Sequence, residues 1–409
     1  MEKDILVLMK ISNKELSITA IEKFNSSNVE IFSDKDIPVD AATSIEFIKK
    51  SIKEIEKLVL AKITEVSIIY DATSLAKIKQ KLISENISNL DNEEISQKHF
   101  DNALKKVNEY YYVNSDSQED VPILFQPFQF NVTDENDKVK IYYELPIGKK
   151  AKRIETLFSV TTLTKNHYNS ALNICKKANL KISQIYSSSN VSPYILESDQ
   201  RKNVSITMQV EKYYSNLIIT NNGVTVVTKN LKYTFEDLCL KISTEFKVSK
   251  KLVYELIANE GIITRDNEKL NRIIFHKKNM HIKAYQLTAI LKSFIKTLLE
   301  EVDEFIKTKH ESLKAYTLNV IGRIEGIEKM EEYFKSILPN NVICINNRPI
   351  NYLLLNYNNR PIFGLTKLLE NINKTKNADA VIANTKPNTV TQKGWMKPLY
   401  KKTISSVTK

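Results

Sequence analysis

The sequence predicts a duplicated α/β protein with a small α+β insert in its first half. Two segments of like layout carry that expectation. DILVLMKISNKELSITAIEKFNSSNVEIFSDKDI (Asp4 to Ile37) reads as three strands with tight turns, followed by an amphipathic helix in SIEFIKKSIKEIEKLVL (Ser44 to Leu60) and a strand in VSIIYDA. NVSITMQVEKYYSNLIITNNGVTVVTKNLKY (Asn203 to Tyr233) repeats the three strands, and TFEDLCLKISTEF (Thr234 to Phe246) supplies the helix. Asn222-Gly223 is a hairpin turn signal, because both residues accept the positive φ that a two-residue turn demands. A hairpin, third strand and helix occurring twice imply two α/β halves with a cleft between them.

The insert has its own pattern. ISQKHFDNALKKVNEYY (Ile95 to Tyr111) places Phe100, Leu104 and Val107 on one helical face. Strand-like runs follow in VPILFQPFQFNV, KVKIYYELP and RIETLFSVTTL. After the second copy, HIKAYQLTAILKSFIKTLLEEVDEFIKTKH (His281 to His310) is the longest helical pattern, with Leu287, Ile290, Leu291, Phe294, Leu298 and Val302 at helical spacing. YTLNVIGRIEGIEKMEEYFKSIL returns to α/β, and RPIFGLTKLLENI (Arg360 to Ile372) ends the ordered pattern. The polar, aperiodic residues from Asn373 to Lys393 read as a flexible linker.

Composition bounds the possibilities. The 409 residues suffice for several domains, and 42% hydrophobic residues with 19 Tyr and 15 Phe exclude a disordered chain. MEKDILVLMK lacks the basic and apolar regions of a secretory signal, and no apolar run approaches a membrane span. Three distant cysteines, Cys175, Cys239 and Cys344, give neither a disulfide framework nor metal spacing, so a cytoplasmic setting is expected. The net charge of +12 accompanies abundant Lys, Asn and Ile with only 7 Gly and 10 Pro, the skew that AT-rich codons produce. No zinc spacing or aromatic-interleaved basic stripe is present, and no nucleic-acid partner is expected.

This order of parts resembles the bacterial cell-division protein family FtsA, across essentially the whole chain. ISQKHFDNALKKV is similar to the helix of that family's inserted domain 1C. ELPIGKKAKRIETLFSVTTL is similar to the turn and strand that follow it, NVIGRIEGIEKM to the adenosine-side glycine loop, and RPIFGLTKLLEN to the last helix of the body. The resemblance implies duplicated actin-like (ribonuclease H-like) halves, a 1C-like insert and a C-terminal amphipathic helix. It divides the chain into subdomain 1A (1–82), the insert (83–162), 1A again (163–200), 2A (201–242), 2B (243–311), 2A again (312–345), the end of 1A (346–372), the linker (373–393) and a membrane-targeting helix (394–409). It further implies tethering of FtsZ polymers to the inner face of the cytoplasmic membrane at the division site, with self-association into filaments.

The departures from the family concern nucleotide. In the actin superfamily two hairpin loops hold ATP phosphates through backbone N–H groups, and glycine lets the backbone come close. Where the family has Asp-Ile-Gly, this chain has Lys10-Ile11-Ser12; where it has a second, glycine-rich Asp-Ile-Gly-Gly-Gly turn, it has Gln209-Val210-Glu211-Lys212-Tyr213-Tyr214-Ser215-Asn216. Both metal-associated aspartates are replaced, and Tyr213 and Tyr214 are expected to crowd the phosphate space. The Ala-Glu-x-x-Lys helix beside adenosine is missing from KVSKKLVYELIANEG, and only the third loop keeps glycines, Gly322 and Gly326. No cofactor and no catalytic residue is therefore expected. ATP with Mg held through Lys10, Ser12 or Lys212 remains the alternative, as in an actin-superfamily ATPase whose assembly follows nucleotide. A structural actin-like role outside division is the other.

Remaining signals are partner signals. The helix from His281 falls in subdomain 2B, where FtsA binds the FtsZ C-terminal peptide. The family's Arg and Glu align with Phe294 and Thr297, so Lys283, Lys292 and Lys296 are the residues that would meet an acidic peptide; an ordinary solvated face is the alternative. His276 and His281 are five apart, not the four that pairs ligands on a helix, and no metal site is expected. The spacing in GRIEGIEK is wrong for a P-loop.

From Ala380 onward there are lysines and no acids. A helix starting near Lys397 has Pro398 in its first turn, where a missing N–H costs little. Met396, Leu399, Tyr400 and Ile404 then share a stripe led by Trp395, the sole tryptophan, with Lys397, Lys401 and Lys402 around it. That is the pattern of an interfacial helix on anionic lipid; a disordered basic end is the alternative.

Overall fold

The computed structural model describes residues 4–345, except 13–14, 24–27, 35–36, 39–40, 72–77, 89, 91, 114–118, 197–198, 202–203, 278–279 and 310–315, together with residues 361 and 364–369. The linker 373–393 and the segment 394–409, with Trp395, Met396, Lys397, Leu399, Tyr400, Lys401, Lys402 and Ile404, lie outside the described residues. Two compact units are present. One draws on Met1–Asn203, Thr220–Val227 and Asn351–Lys409, the other on Val204–Ile219 and Thr228–Ile350.

The first unit opens with β1 (Asp4–Ile11), β2 (Glu15–Lys23), β3 (Asn28–Ser33), the short β4 (Ile37–Pro38), α1 (Ala41–Val59) and β5 (Glu65–Tyr70). With β10 (Lys181–Ser187) they form a sheet of order β10-β5-β1-β2-β3, with β4 on β2. The first three strands are antiparallel and β1, β5 and β10 run parallel. A strand covered on both faces needs a continuous apolar run, and β1 supplies one from Ile5 to Met9. Val7, Met9 and Ile11 pack with Ile48, Ile52, Ile55 and Val59 of α1, whereas Leu8 joins Tyr186, Tyr194, Leu365 and Leu368 in a separate cluster.

The insert follows β5. It comprises β6 (Lys79–Ser88), α2 (Gln97–Val113), β7 (Asp120–Thr133), β8 (Val139–Tyr142) and β9 (Arg153–Thr164), and its sheet has the order β6-β9-β7-β8, antiparallel throughout. Ala103 and Val107 of α2 pack with Phe158 and Val160, and Phe100 stacks on Phe158 at 5.9 Å. β9 runs straight into α3 (Lys165–Lys177), which returns the chain to β10 and the short helix α4 (Ser188–Val191).

A buried polar chain ties the insert to its unit. Asn190 donates to Thr161 Oγ1 (2.9 Å), Thr161 to Gln80 (3.0 Å), and Gln80 to Ser159. Ser159 in turn donates to the Thr225 carbonyl, while Thr225 Oγ1 donates to the Ser189 carbonyl at 2.8 Å.

A second set of elements repeats the plan. β11 (Val204–Val210), β12 (Ser215–Asn221), β13 (Val224–Asn230) and α5 (Phe235–Phe246) answer β1, β2, β3 and α1. β16 (Thr317–Gly322), α9 (Met330–Ile337) and β17 (Val342–Ile345) answer β5, α3 and β10. The sheet order is β13-β12-β11-β16-β17, with β11, β16 and β17 parallel, so the same order occurs in both sheets. Asn222 and Gly223 both have positive φ, 48° and 81°, as the expected hairpin turn requires.

Between α5 and β16 lie α6 (Lys250–Glu260), α7 (Asn267–Asn271), a hairpin of β14 (Ile273–Lys277) and β15 (Met280–Lys283), and α8 (Ala284–Lys309). The helix expected from His281 thus begins three residues later. His281 to Lys283 pair with β14 instead, and the Gln286 side chain accepts the Lys283 N–H at 2.9 Å, the mark of a helix start.

Candidate functional site: three turns at strand ends

Ser12 and Glu15, on either side of the β1–β2 connection, bond to each other. Ser12 N–H donates to the Glu15 carbonyl at 2.9 Å; Ser12 Oγ accepts from Glu15 N–H at 2.9 Å and donates to Glu15 O at 3.0 Å. Ser12 is buried. Beside it the Lys10 ammonium lies 3.6 Å from Asp71 Oδ2, where the adjacent parallel strands β1 and β5 end. The Asp71 side chain is only 4% exposed, so this cation balances a buried carboxylate.

The β11–β12 turn has a hydrogen bond of its own. Glu211 N–H donates to the Tyr214 carbonyl at 2.8 Å. Tyr214, expected to crowd a phosphate, is instead turned into its own unit, 4% exposed, with its hydroxyl accepting from Gln209 at 3.1 Å. Lys212 sits over the Tyr213 ring, 4.5 Å from its centroid.

The first-turn N–H groups of α5, which would otherwise suit an anion, are already used. Phe235 N–H donates to Glu211 O (3.1 Å), Glu236 N–H to Lys212 O (2.9 Å), and Thr234 and Asp237 form a capping box. Glu236 is itself held by Lys250 and by the Tyr254 hydroxyl at 2.9 Å.

The third turn follows β16. Gly322 N–H donates to Glu325 Oε1 at 2.6 Å, Glu325 is 4% exposed, and Arg323 N–H donates to the Val210 carbonyl at 2.7 Å. Gly322 has φ +108°, and a Cβ there would lie 2.2 Å from Val210 O. Close backbone packing within the unit therefore demands this glycine. Gly326 is exposed at the turn's tip.

The described N–H groups of these turns do not fit the phosphate-holding role that the family resemblance assigns to such loops. Binding phosphate needs backbone N–H groups aimed outward, and the N–H groups of Ser12, Glu15, Glu211, Gly322 and Arg323 all have internal acceptors. Burial pushes the Cys175 thiol up to about 11 and the Cys239 thiol up to about 12, away from reactive thiolate.

The expected partner lysines have separate fates. Lys292 donates to the Thr264 carbonyl at 3.1 Å, Lys296 pairs with Glu300 at 3.6 Å on the exposed side of α8, and Lys283 is exposed on β15. Three features escaped the sequence reading: the Lys10–Asp71 pair, Glu325 as acceptor for Gly322, and the facing of His276 and His281 across the β14–β15 hairpin. The last had a usable signal. Residues five apart around a two-residue turn face one another on neighbouring strands.

No protein-family model and no curated protein sequence matches the chain. Solved structures do. The PilM-PilN type IV pilus biogenesis complex aligns with TM-score 0.51 and 12% identity, over 90% of this chain and 98% of that one. MreB5 of Spiroplasma citri bound to ADP aligns with TM-score 0.50 and 9% identity, over 91% and 98%. Identity this low speaks for fold alone, and the two sheets of identical strand order agree with it: the chain has the actin-like ATPase fold.

Proposed function

We propose that this protein is an FtsA-like cell-division adaptor, joining FtsZ polymers to the inner face of the cytoplasmic membrane, with weak or no ATP binding. The observation that carries the reading is the order of parts. A four-stranded insert with one helix interrupts the first actin-like half between β5 and β10, and the sequence carries a basic, tryptophan-bearing segment at 394–409, beyond the body. The body serves as scaffold, the tail as anchor and the α8 region as the FtsZ-facing surface.

Self-association is part of the proposal, because one tail binds weakly. Attraction of about 1 kcal/mol per lysine near anionic lipid and about 1.5–3 kcal/mol per buried apolar side chain work against about 1–2 kcal/mol per residue to order the helix. Several tails on one filament add avidity that a monomer lacks. The linker's roughly 25 Å reach lets each tail find the surface.

Trp395 gives the test. As the sole tryptophan its emission reports on the tail alone. Titration with anionic vesicles is expected to shift the emission to the blue, and less so at high salt. An unchanged spectrum removes the anchor. For the FtsZ tail peptide, Lys296→Glu with Lys283→Glu is the informative variant, since both side chains are exposed whereas Lys292 is engaged with Thr264. Lost peptide binding is expected.

The fold likeness to MreB5 bound to ADP favours one second reading, a filament whose assembly follows nucleotide. The likeness to a pilus biogenesis complex favours another, an actin-like structural role outside division. Nucleotide titration separates the first from the adaptor, and the peptide experiment the second.

A further inference from the structure

The β14–β15 hairpin brings two imidazoles together in a way the proposed adaptor role does not use. His276 and His281 are direct cross-strand partners, one step behind the closing pair Lys277 and Met280. In a two-residue hairpin the closing pair exchanges backbone hydrogen bonds and the next pair does not, so the side chains of that next pair stand closer. Here the ring centroids are 4.3 Å apart with planes inclined by 33°, and Nδ1 faces Nδ1 at 2.6 Å. Both residues are exposed, while the neighbouring Ile282 is buried at 1% on the opposite face. The hairpin is thus anchored from below and presents the two rings to solvent.

Two imidazole nitrogens that face each other on one side of a hairpin are placed to bind a single metal ion. A metal bonded to imidazole nitrogens at about 2.0–2.1 Å, with an angle between right-angled and tetrahedral at the metal, needs them about 2.9–3.3 Å apart. Opening the pair by less than an ångström gives that spacing, within reach of small χ changes on exposed side chains.

We propose that His276 and His281 form a chelating site for a borderline divalent transition metal of the zinc, nickel or copper class. Neutral imidazole suits those ions, whereas magnesium and calcium take oxygen ligands. No third His, Cys, Asp or Glu completes a cluster among the described residues. The remaining coordination positions are therefore open to water. Lys283 shares the face of His281 by strand alternation and repels a cation, which holds the affinity in the moderate range.

Calorimetric titration of Zn2+ into the untagged full chain tests the assignment, with visible absorption of Co2+ as an independent readout of coordination. One ion per chain is expected to bind with micromolar affinity. His276→Ala and His281→Ala are each expected to weaken it at least about tenfold, since even removing a group that merely supports a ligand costs that much. The substitutions lie on an exposed hairpin, and unchanged far-ultraviolet circular dichroism checks that the fold persists. His99→Ala is the control and should bind as the parent does. Failure of the parent to bind at millimolar Zn2+ overturns the proposal, as does undiminished affinity in both hairpin variants. Because this readout involves neither FtsZ nor lipid, its failure leaves the adaptor reading standing, and the reverse also holds.

Discussion

Gly322 illustrates how one residue can answer to packing when sequence suggests ligand. Its φ of +108° and the 2.2 Å approach of a hypothetical Cβ to the Val210 carbonyl tie it to the end of β11. Gly322→Ala is expected to destabilise the protein by about 2 kcal/mol or more, combining backbone strain with overpacking. The urea midpoint should fall, and an unmoved midpoint would refute the close approach. Nothing local to NVIGRIEG announces Val210, which is distant in sequence, so the residue looked like a nucleotide remnant. Elsewhere the chain readily does without glycine: among the described residues Leu60, Asn92, Asp137, Asn179, Asn222, Lys247 and Lys329 all carry positive φ. Lack of glycine in a turn is therefore weak grounds for lost function in this composition, and the internal acceptors of the Ser12, Glu15 and Glu211 N–H groups are the stronger ones.

At the scale of elements, what is local in sequence was legible and what depends on distant partners was not. The Asn222-Gly223 turn, the stripe Ile48, Ile52, Ile55, Val59 of α1 and the apolar face of α8 follow from period and turn chemistry. The start of α8 was misplaced because His281, Ile282 and Lys283 fit a helix as well as a strand, and only the partner β14 decides between them. Helix α5 was foreseen, but not that its first N–H groups would hold the carbonyls of Glu211 and Lys212. Its cap can be tested. Thr234 Oγ1 accepts from Asp237 N–H while Asp237 Oδ2 accepts from Thr234 N–H at 2.8 Å, so Thr234→Ala should cost about 1 kcal/mol. Thr234→Ser, which keeps the hydroxyl, should restore most of it; equal losses in both variants would mean that the cap is not the cause.

For the whole molecule, duplication was visible because each half writes its own hairpin, third strand and helix, and the shared strand order of the two sheets follows from that. A micromolar ligand is held by about 8 kcal/mol, and a millimolar one by about 4 kcal/mol. A backbone hydrogen bond to a charged phosphate contributes roughly 1.5–3 kcal/mol, so two or three such donors separate the regimes. The N–H groups of Ser12, Glu15, Glu211 and Gly322 all have acceptors inside their own turns, and phosphate would have to displace the Ser12 hydroxyl and the Glu325 carboxylate to recruit them. Lys10 is already opposite Asp71, so its charge is not simply added to a phosphate's account of contacts. Calorimetric titration with Mg-ATP is accordingly expected to give no binding tighter than millimolar, and phosphate release should match that of buffer. Replacing Glu325 with Gln weakens the acceptor of the Gly322 N–H without removing it, and should leave the result unchanged. Micromolar binding with turnover would establish that the turns rearrange around nucleotide, and would favour an ATP-driven filament over the proposed adaptor.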